Sequence, residues 1–268
     1  MIRRACVAGQ FYPGEPSSLR QAVADLLKTG KGGREKAVAI VAPHAGYIYS
    51  GRVAGRVYSE VVVPDSIVLI GPNHTGLGAN AAVMVNGIWE TPIGNIEVDR
   101  DLAMAVAGAT PSFSEDSVAH LGEHSLEVQL PFIHTINPSA RIVPITVMSA
   151  GPRECEEMGR AIAGAIRSHP GEVLIVVSSD MNHYEPDDVT REKDRHAIDM
   201  VLELDWMGLL KVTAERHITM CGVVPAAIAI VAARHLGAGE ARLSAYATSG
   251  EVSGDYTHVV GYAGIVIK

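Results

Sequence analysis

Residues 37–50 read AVAIVAPHAGYIYS. The run 37–42 is apolar without period-2 alternation and stops at Pro43. A strand wetted on one face alternates and one buried on both faces does not, so the pattern predicts a central strand of a parallel sheet. His44 follows at once. In open α/β sheets ligands collect beyond the carboxyl ends of the strands, where loops converge on a rigid frame. The arrangement recurs: the apolar run 66–70 breaks at Gly71-Pro72-Asn73 and presents His74, and the run 173–177 breaks at Ser178-Ser179-Asp180 and presents His183. Three buried strands, each tipped by a histidine, predict one shared polar site.

Outward from this stretch, strand and helix patterns alternate. Ser17 or Ser18 is placed to cap a helix carrying Leu19, Ala22, Val23, Leu26 and Leu27 at helical spacing, ended by Gly30 and Gly32-Gly33. A small-residue helix is predicted over 51–60, and a hairpin over 81–90 around Asn86-Gly87, a strong turn pair. Asp99 or Asp101 starts a helix through 107; from Glu123 the spacing of Leu126, Leu130 and Ile133 is helical, with Pro131 a kink or early stop. Further strands are expected over 141–148, 241–248 and 258–267, and helices over 154–166, 188–204, 206–215 and 225–235. With no internal repeat or linker, residues 1–268 read as one α/β domain: a mixed, mostly parallel sheet flanked by helices.

The formal charge of −8, with basic residues scattered, argues against nucleic acid or an anionic membrane as partner. Cys6, Cys155 and Cys221 are odd in number and far apart, which describes no disulfide framework and fits a reducing cytosol. The start has no apolar signal-peptide segment, and the longest apolar run, 223–233, is too short to span a bilayer and contains Pro225. A cytoplasmic protein is expected. Eleven histidines against three phenylalanines and two tryptophans point to chemistry rather than a generic binding surface.

His44, His74 and His183 form the leading constellation, because neutral imidazoles are common transition-metal ligands; the plain alternative is three ordinary loop histidines. Asp180, just past a strand, is placed to ligate a metal, orient an imidazole or act as a base. Cys221 precedes Gly222 and a helix start, a setting that favours thiolate, a soft ligand; otherwise it is a small buried hydrophobe. Cys6 and Cys155 have no such setting and read as packing residues. His120, Glu123 and His124 spell H-x-x-E-H, the inverted zincin pattern, but Gly122 opposes a helix across it. Glu123 and His124 are still placed to line the crevice, and His120 reads as a loop residue. His134, His169, His196, His217 and His235 read as solvated or capping residues, and His258 has no assignment. G-x-S-x-G, P-loop and G-x-G-x-x-G signatures are absent.

At these residues the chain closely resembles the Memo family, whose prokaryotic members are called AmmeMemoRadiSam system protein B. The matching segments are Gly9-Gln10-Phe11-Tyr12-Pro13, Ala42-Pro43-His44-Ala45-Gly46-Tyr47, Gly71-Pro72-Asn73-His74, Glu123-His124-Ser125-Leu126-Glu127, Ser178-Ser179-Asp180-Met181-Asn182-His183 and Met220-Cys221-Gly222. The resemblance implies a fold like that of the class III extradiol ring-cleaving dioxygenases of the LigB type, which hold iron with two histidines and a carboxylate. It implies that His44 and His74 are the histidine ligands, that Cys221 stands in place of the carboxylate, and that His183 matches the acid/base histidine, with Asp180 and His124 lining the crevice. A thiolate for a carboxylate shifts metal preference toward copper, zinc or thiolate-bound iron and away from catechol cleavage. The expectation is an iron- or copper-dependent oxidoreductase acting on an unknown small molecule or peptide, with radical-SAM and AMMECR-like partners implied by the family. The alternatives are a non-catalytic peptide- or protein-binding module in the same crevice, and a zinc hydrolase using His183 or Glu123 as base.

Overall fold

The three apolar runs become three adjacent parallel strands. The chain is described here from a computed structural model covering residues 1–28 and 33–268. Its strands are β1 (Ile2–Arg3), β2 (Ala39–Ala42), β3 (Ser66–Pro72), β4 (Ala81–Val83), β5 (Ile88–Thr91), β6 (Gly94–Val98), β7 (Ser114–Glu115), β8 (Arg141–Val147), β9 (Val173–Ser178), β10 (His183–Glu185), β11 (Ala241–Thr248) and β12 (Val259–Ile267). One sheet runs β1-β5-β6-β8-β3-β9-β2-β12-β10, with β11 also paired to β12, and β4 carrying β7 against β8. β8, β3, β9 and β2 are mutually parallel, so His44, His74 and Asp180 leave the same end of neighbouring strands. β12 returns antiparallel to β2, which makes the sheet mixed.

Every residue of β2 and β3 is buried, as the unbroken apolar runs require. Burial on both faces follows from helices on both sides. Tyr47–Glu60 packs against β2, β11 and β12, and the apolar helix Val223–His235 lies between β3, β9 and the amphipathic helix Pro152–Ser168. Each buried Val, Ile or Leu contributes about 1.5–3 kcal/mol from removal of apolar surface, which is why the strand ends hold their loops in fixed places.

Several local expectations give way to tertiary structure. The Asn86-Gly87 hairpin does not form: β4 pairs with β8 and β7, while β5 pairs with β1 and turns into β6 through Pro92-Ile93. Gly87 sits at φ +135°, and a Cβ there would lie 2.6 Å from Met1 O. Ile88 N–H donates to that same carbonyl, so pairing with the N-terminal strand overrides the local turn signal. Pro131 opens a helix, Leu130–Ile136, instead of stopping one, because its missing N–H costs nothing in the first turn. The first helix, Pro16–Leu27, is capped by the Glu15 carboxylate, which accepts from the N–H groups of Ser17 and Ser18; its expected glycine stop at Gly30 and Gly32 lies outside the described residues. The second helix begins at Tyr47, four residues earlier than its glycines suggested. No helix among the described residues is long and apolar enough to cross a membrane.

Candidate metal centre

The strand ends converge on a histidine cluster. His44 leaves β2 with its backbone N–H donating to Asp180 Oδ1 at 2.8 Å, and Ala45 N–H reaches the same oxygen at 3.2 Å. The carboxylate beyond β9 thus holds the loop beyond β2. His44 Nδ1 lies 2.9 Å from Ser178 Oγ, which donates its own proton to Ser125 O at 2.6 Å. A hydroxyl has one proton, so Ser178 must accept from Nδ1–H, and the lone pair of His44 is left on Nε2.

His74 reaches the same state by another route. Its Nδ1 lies 2.9 Å from Glu123 Oε1, and a carboxylate can only accept, so Nδ1 carries the proton and the neutral form of the ring has its lone pair on Nε2. Glu123 also takes the N–H of His74 and of Ser125. Burial works against charge on this side chain, but those hydrogen bonds and the His74 imidazole outweigh it and hold the carboxyl at about 2. His124 stacks on His74 with ring centroids 4.7 Å apart, and its Nδ1 is 3.5 Å from Glu123 Oε1. The pair forms because residues 121–126 turn rather than coil, as Gly122 suggests, which aims Glu123 inward and His124 toward the cavity.

Cys221 arrives from outside the strand-tip pattern. It precedes Gly222, the N-cap of Val223–His235, and a Cβ on Gly222 would come within 2.5 Å of Ser179 Cβ, so only glycine lets this loop close onto the end of β9. Cys221 Sγ lies 3.4 Å from His44 Nε2 and accepts from Asp180 N–H at 3.2 Å. Donor atoms of His44, His74 and Cys221 all fall within 4.8 Å of one another, and those of His74, Glu123 and His124 form a second such group. The thiol differs from its sequence expectation. Burial pushes the Cys221 thiol up, the Asp180 carboxylate adds to this, and hydrogen bonds from Asp180 N–H and Ser179 do not offset it. Loss of water outweighs the helix start, so binding as thiolate requires a metal to displace the proton. Burial likewise lowers His44 to about 4, keeping its imidazole neutral at pH 7.

Above the cluster opens a cavity of about 640 Å³ lined by His44, His74, His124, Asp180 and His183. His183 stands on its wall, outside both groups of mutually close donors. Its Nδ1 is 2.9 Å from Thr219 O and its backbone N–H donates to Thr219 Oγ1, so Nδ1 carries a proton and the neutral form of the ring has its lone pair on Nε2. Thr219 is held by Asn182 Oδ1, and Asn182 N–H by the buried Asp194.

Other sequence expectations separate here. The H-x-x-E-H residues do not assemble: His120 is buried under Trp89 in a 3₁₀ turn, apart from Glu123 and His124. Cys155 is a buried packing residue. Cys6 is not, since its Sγ lies 3.0 Å from Glu127 Oε2 and 3.1 Å from Arg3 Nη2, beside the fully buried Arg3–Glu127 ion pair. Arg3 also donates to the carbonyls of His120 and Glu123, pinning the backbone that aims Glu123. His258, Phe11, Tyr49, Tyr184 and Tyr262 line the cavity and Ser178 sets the tautomer of His44. Of these, Phe11 and Ser178 fall in the quoted family segments, and the others carry no local signal.

Fold and site together define an α/β protein whose parallel strands gather histidines and a cysteine at their carboxyl ends. The model for the family described as Memo-like protein matches residues 3–266, and the chain belongs to the Memo family. It is 44% identical over 276 residues to a MEMO1 family protein of Pyrobaculum arsenaticum, covering 99% of this chain and 98% of that one. It is 41% identical over 274 residues to a MEMO1 family protein of Methanothermobacter thermautotrophicus, covering 98% and 99%. The crystal structure of uncharacterized protein JW3007 from Escherichia coli K12 shares the fold at TM-score 0.53 and 13% identity, over 85% of this chain and 99% of that one.

Proposed function

We propose that this chain is a metal-dependent oxidoreductase that holds one iron or copper ion with His44 Nε2, His74 Nε2 and Cys221 Sγ. The observation that carries the reading is the state of the two imidazoles. Ser178 and Glu123 engage the Nδ1 protons, leaving two Nε2 lone pairs beside one sulfur. Outer partners of this kind orient metal-bound histidines and raise their basicity. Two imidazoles and a thiolate suit copper, iron or zinc better than a hard cation.

The metal supplies redox and electrophilic chemistry to a small molecule or peptide in the cavity. The chain's own residues divide the remaining work. Glu123 orients His74, Asp180 fixes the His44 loop, and His124 closes one wall. His183, with its lone pair on Nε2, accepts and returns a proton of the bound molecule. Radical-SAM and AMMECR-like partners and a cytoplasmic location are proposed with this reading on the family resemblance alone. An inverted zincin hydrolase loses support, because His120 is turned away from Glu123.

Elemental analysis and electron paramagnetic resonance on protein purified without oxygen test the proposal. About one iron or copper per chain, lost in His44→Ala and Cys221→Ala while the fold is kept, is the expected result. Zinc alone, or affinity unchanged in both variants, overturns it. Metal bound without any metal-dependent oxygen consumption or redox turnover favours the binding module.

A further inference from the structure

Four strands of the sheet have an open side among the described residues. β1 pairs only with β5, β7 only with β4 and β10 only with β12, and these three run two, two and three residues. Edges that short offer little backbone to another chain. β11 is different: it pairs only with β12 and runs eight residues, ARLSAYAT, with no Pro, Lys, Asp or Glu. Its one charged residue, Arg242, is held by Glu35 and Glu60 of the same chain. A bulge between Leu243 and Ala245 leaves 245–248 as an uninterrupted run, and among the described residues no other backbone–backbone bond engages 241–248. Seven of the eight residues keep some solvent exposure, whereas every residue of β2 and β3 is buried.

Beside this edge lies a groove of about 440 Å³ between β11 and the helix Asp187–Leu202, lined by Ile198, Leu202, Leu243 and Tyr246 together with Arg195 and Asp199. Leu243, 41% exposed, is a large apolar side chain standing in water at the open edge. Arg195 and Asp199 stand one helical turn apart on the rim, both exposed and paired with each other at 3.0 Å. An exposed pair of this kind adds little to the fold, so both groups are available to a new partner. The groove shares no lining residue with the crevice over the histidines.

We propose that β11 and this groove form the interface of a two-fold symmetric dimer of the chain, with the two β11 edges side by side and antiparallel. An edge of this length is satisfied by a strand of matching length that is itself unpaired, and among the described strands β11 alone is one. A two-fold axis requires a self-complementary surface, because whatever a residue meets on the partner meets that residue in return. The rim meets the requirement by carrying both signs of charge one turn apart. With the helices antiparallel across the axis, Arg195 of each copy faces Asp199 of the other, which gives two ion pairs. Leu243 of each copy enters the other's groove against Ile198, Leu202 and Tyr246, and water leaves both apolar surfaces.

Sedimentation velocity on the full chain tests this, and a dimer is expected at about 100 μM chain. Leu243→Asp, which puts a carboxylate on the open edge, is expected to weaken association about tenfold or more. Arg195→Asp and Asp199→Arg each set like charges opposite one another twice per dimer and are expected to do the same. Mixing those two variants returns opposite charges to both contacts, so the mixture is expected to dimerise as the parent does. That recovery also shows that both variants are folded. A chain monomeric at about 100 μM overturns the inference. A dimer indifferent to Leu243→Asp and to both charge reversals overturns it too, as does a mixture that associates no more tightly than its parts.

Discussion

His44 Nδ1 and Ser178 Oγ meet at 2.9 Å, and the hydroxyl proton is already given to Ser125 O. This contact decides which nitrogen of His44 is free. Gln129 Nε2 reinforces it by donating to the same Oγ at 2.9 Å. Ser178→Ala removes the acceptor without changing the shape of the strand, so metal affinity is expected to fall about 10- to 100-fold. Competition with a chelator of known affinity measures it, with Cys155→Ala as a buried control; an unchanged constant would show that Ser178 does not govern the ligand.

Glu123→Gln tests the second imidazole. The carboxylate accepts from His74 Nδ1 and from two backbone N–H groups. A neutral amide keeps the size and removes the charge, and metal affinity is again expected to fall about 10- to 100-fold. Glu127→Gln, which leaves the His74 contact alone, is expected to change stability more than affinity.

The Arg3–Glu127 pair supports the chain from beneath. Both side chains are fully buried, and Glu127 also accepts from Cys6 N–H, Val7 N–H and Tyr12 OH. Removing one member leaves an uncompensated buried charge, so Glu127→Ala is expected to cost about 3–5 kcal/mol. Urea unfolding measures this. Arg3→Met with Glu127→Leu is expected to cost less than the sum of the single changes, because no lone charge remains buried.

Stability of the metal-free chain is expected to fall on acidification. Burial lowers His44 and His120 to about 4 from the ordinary 6.5, and burial lowers His124 as well. Between those values the unfolded chain binds more protons, so the contribution is complete above 6.5 and lost as pH falls toward 4. Glu123, held at about 2 against an ordinary 4.5, extends the loss to lower pH. Asp194 opposes them: burial raises it from 3.8 to about 7, so its contribution is present at low pH and lost as pH rises toward 7. Denaturant midpoints between about pH 7 and pH 4 are expected to drop, and to drop more steeply in Asp194→Asn. A flat profile in both proteins would contradict the assignment of these groups.

The sequence by itself determined the frame. Three apolar runs without alternation state that β2, β3 and β9 are buried on both faces, and their endings place His44, His74 and Asp180 at one rim. That much follows from local pattern because burial on both faces leaves no room for polar side chains. Only the tertiary structure decided the rest. The family resemblance already implies Cys221 as a ligand and His183 as a separate acid/base histidine, but how they are placed is tertiary: Cys221 joins from a loop whose closeness depends on Gly222 beneath Ser179, His183 stands at the cavity wall on Thr219, and the Asn86-Gly87 turn yields to pairing with the N-terminal strand. Cys6 leaves the packing role because Glu127, 121 residues away in sequence, accepts from it. These outcomes rest on contacts between distant segments, where burial and single hydrogen bonds set the chemistry, and no window of neighbouring residues contains them.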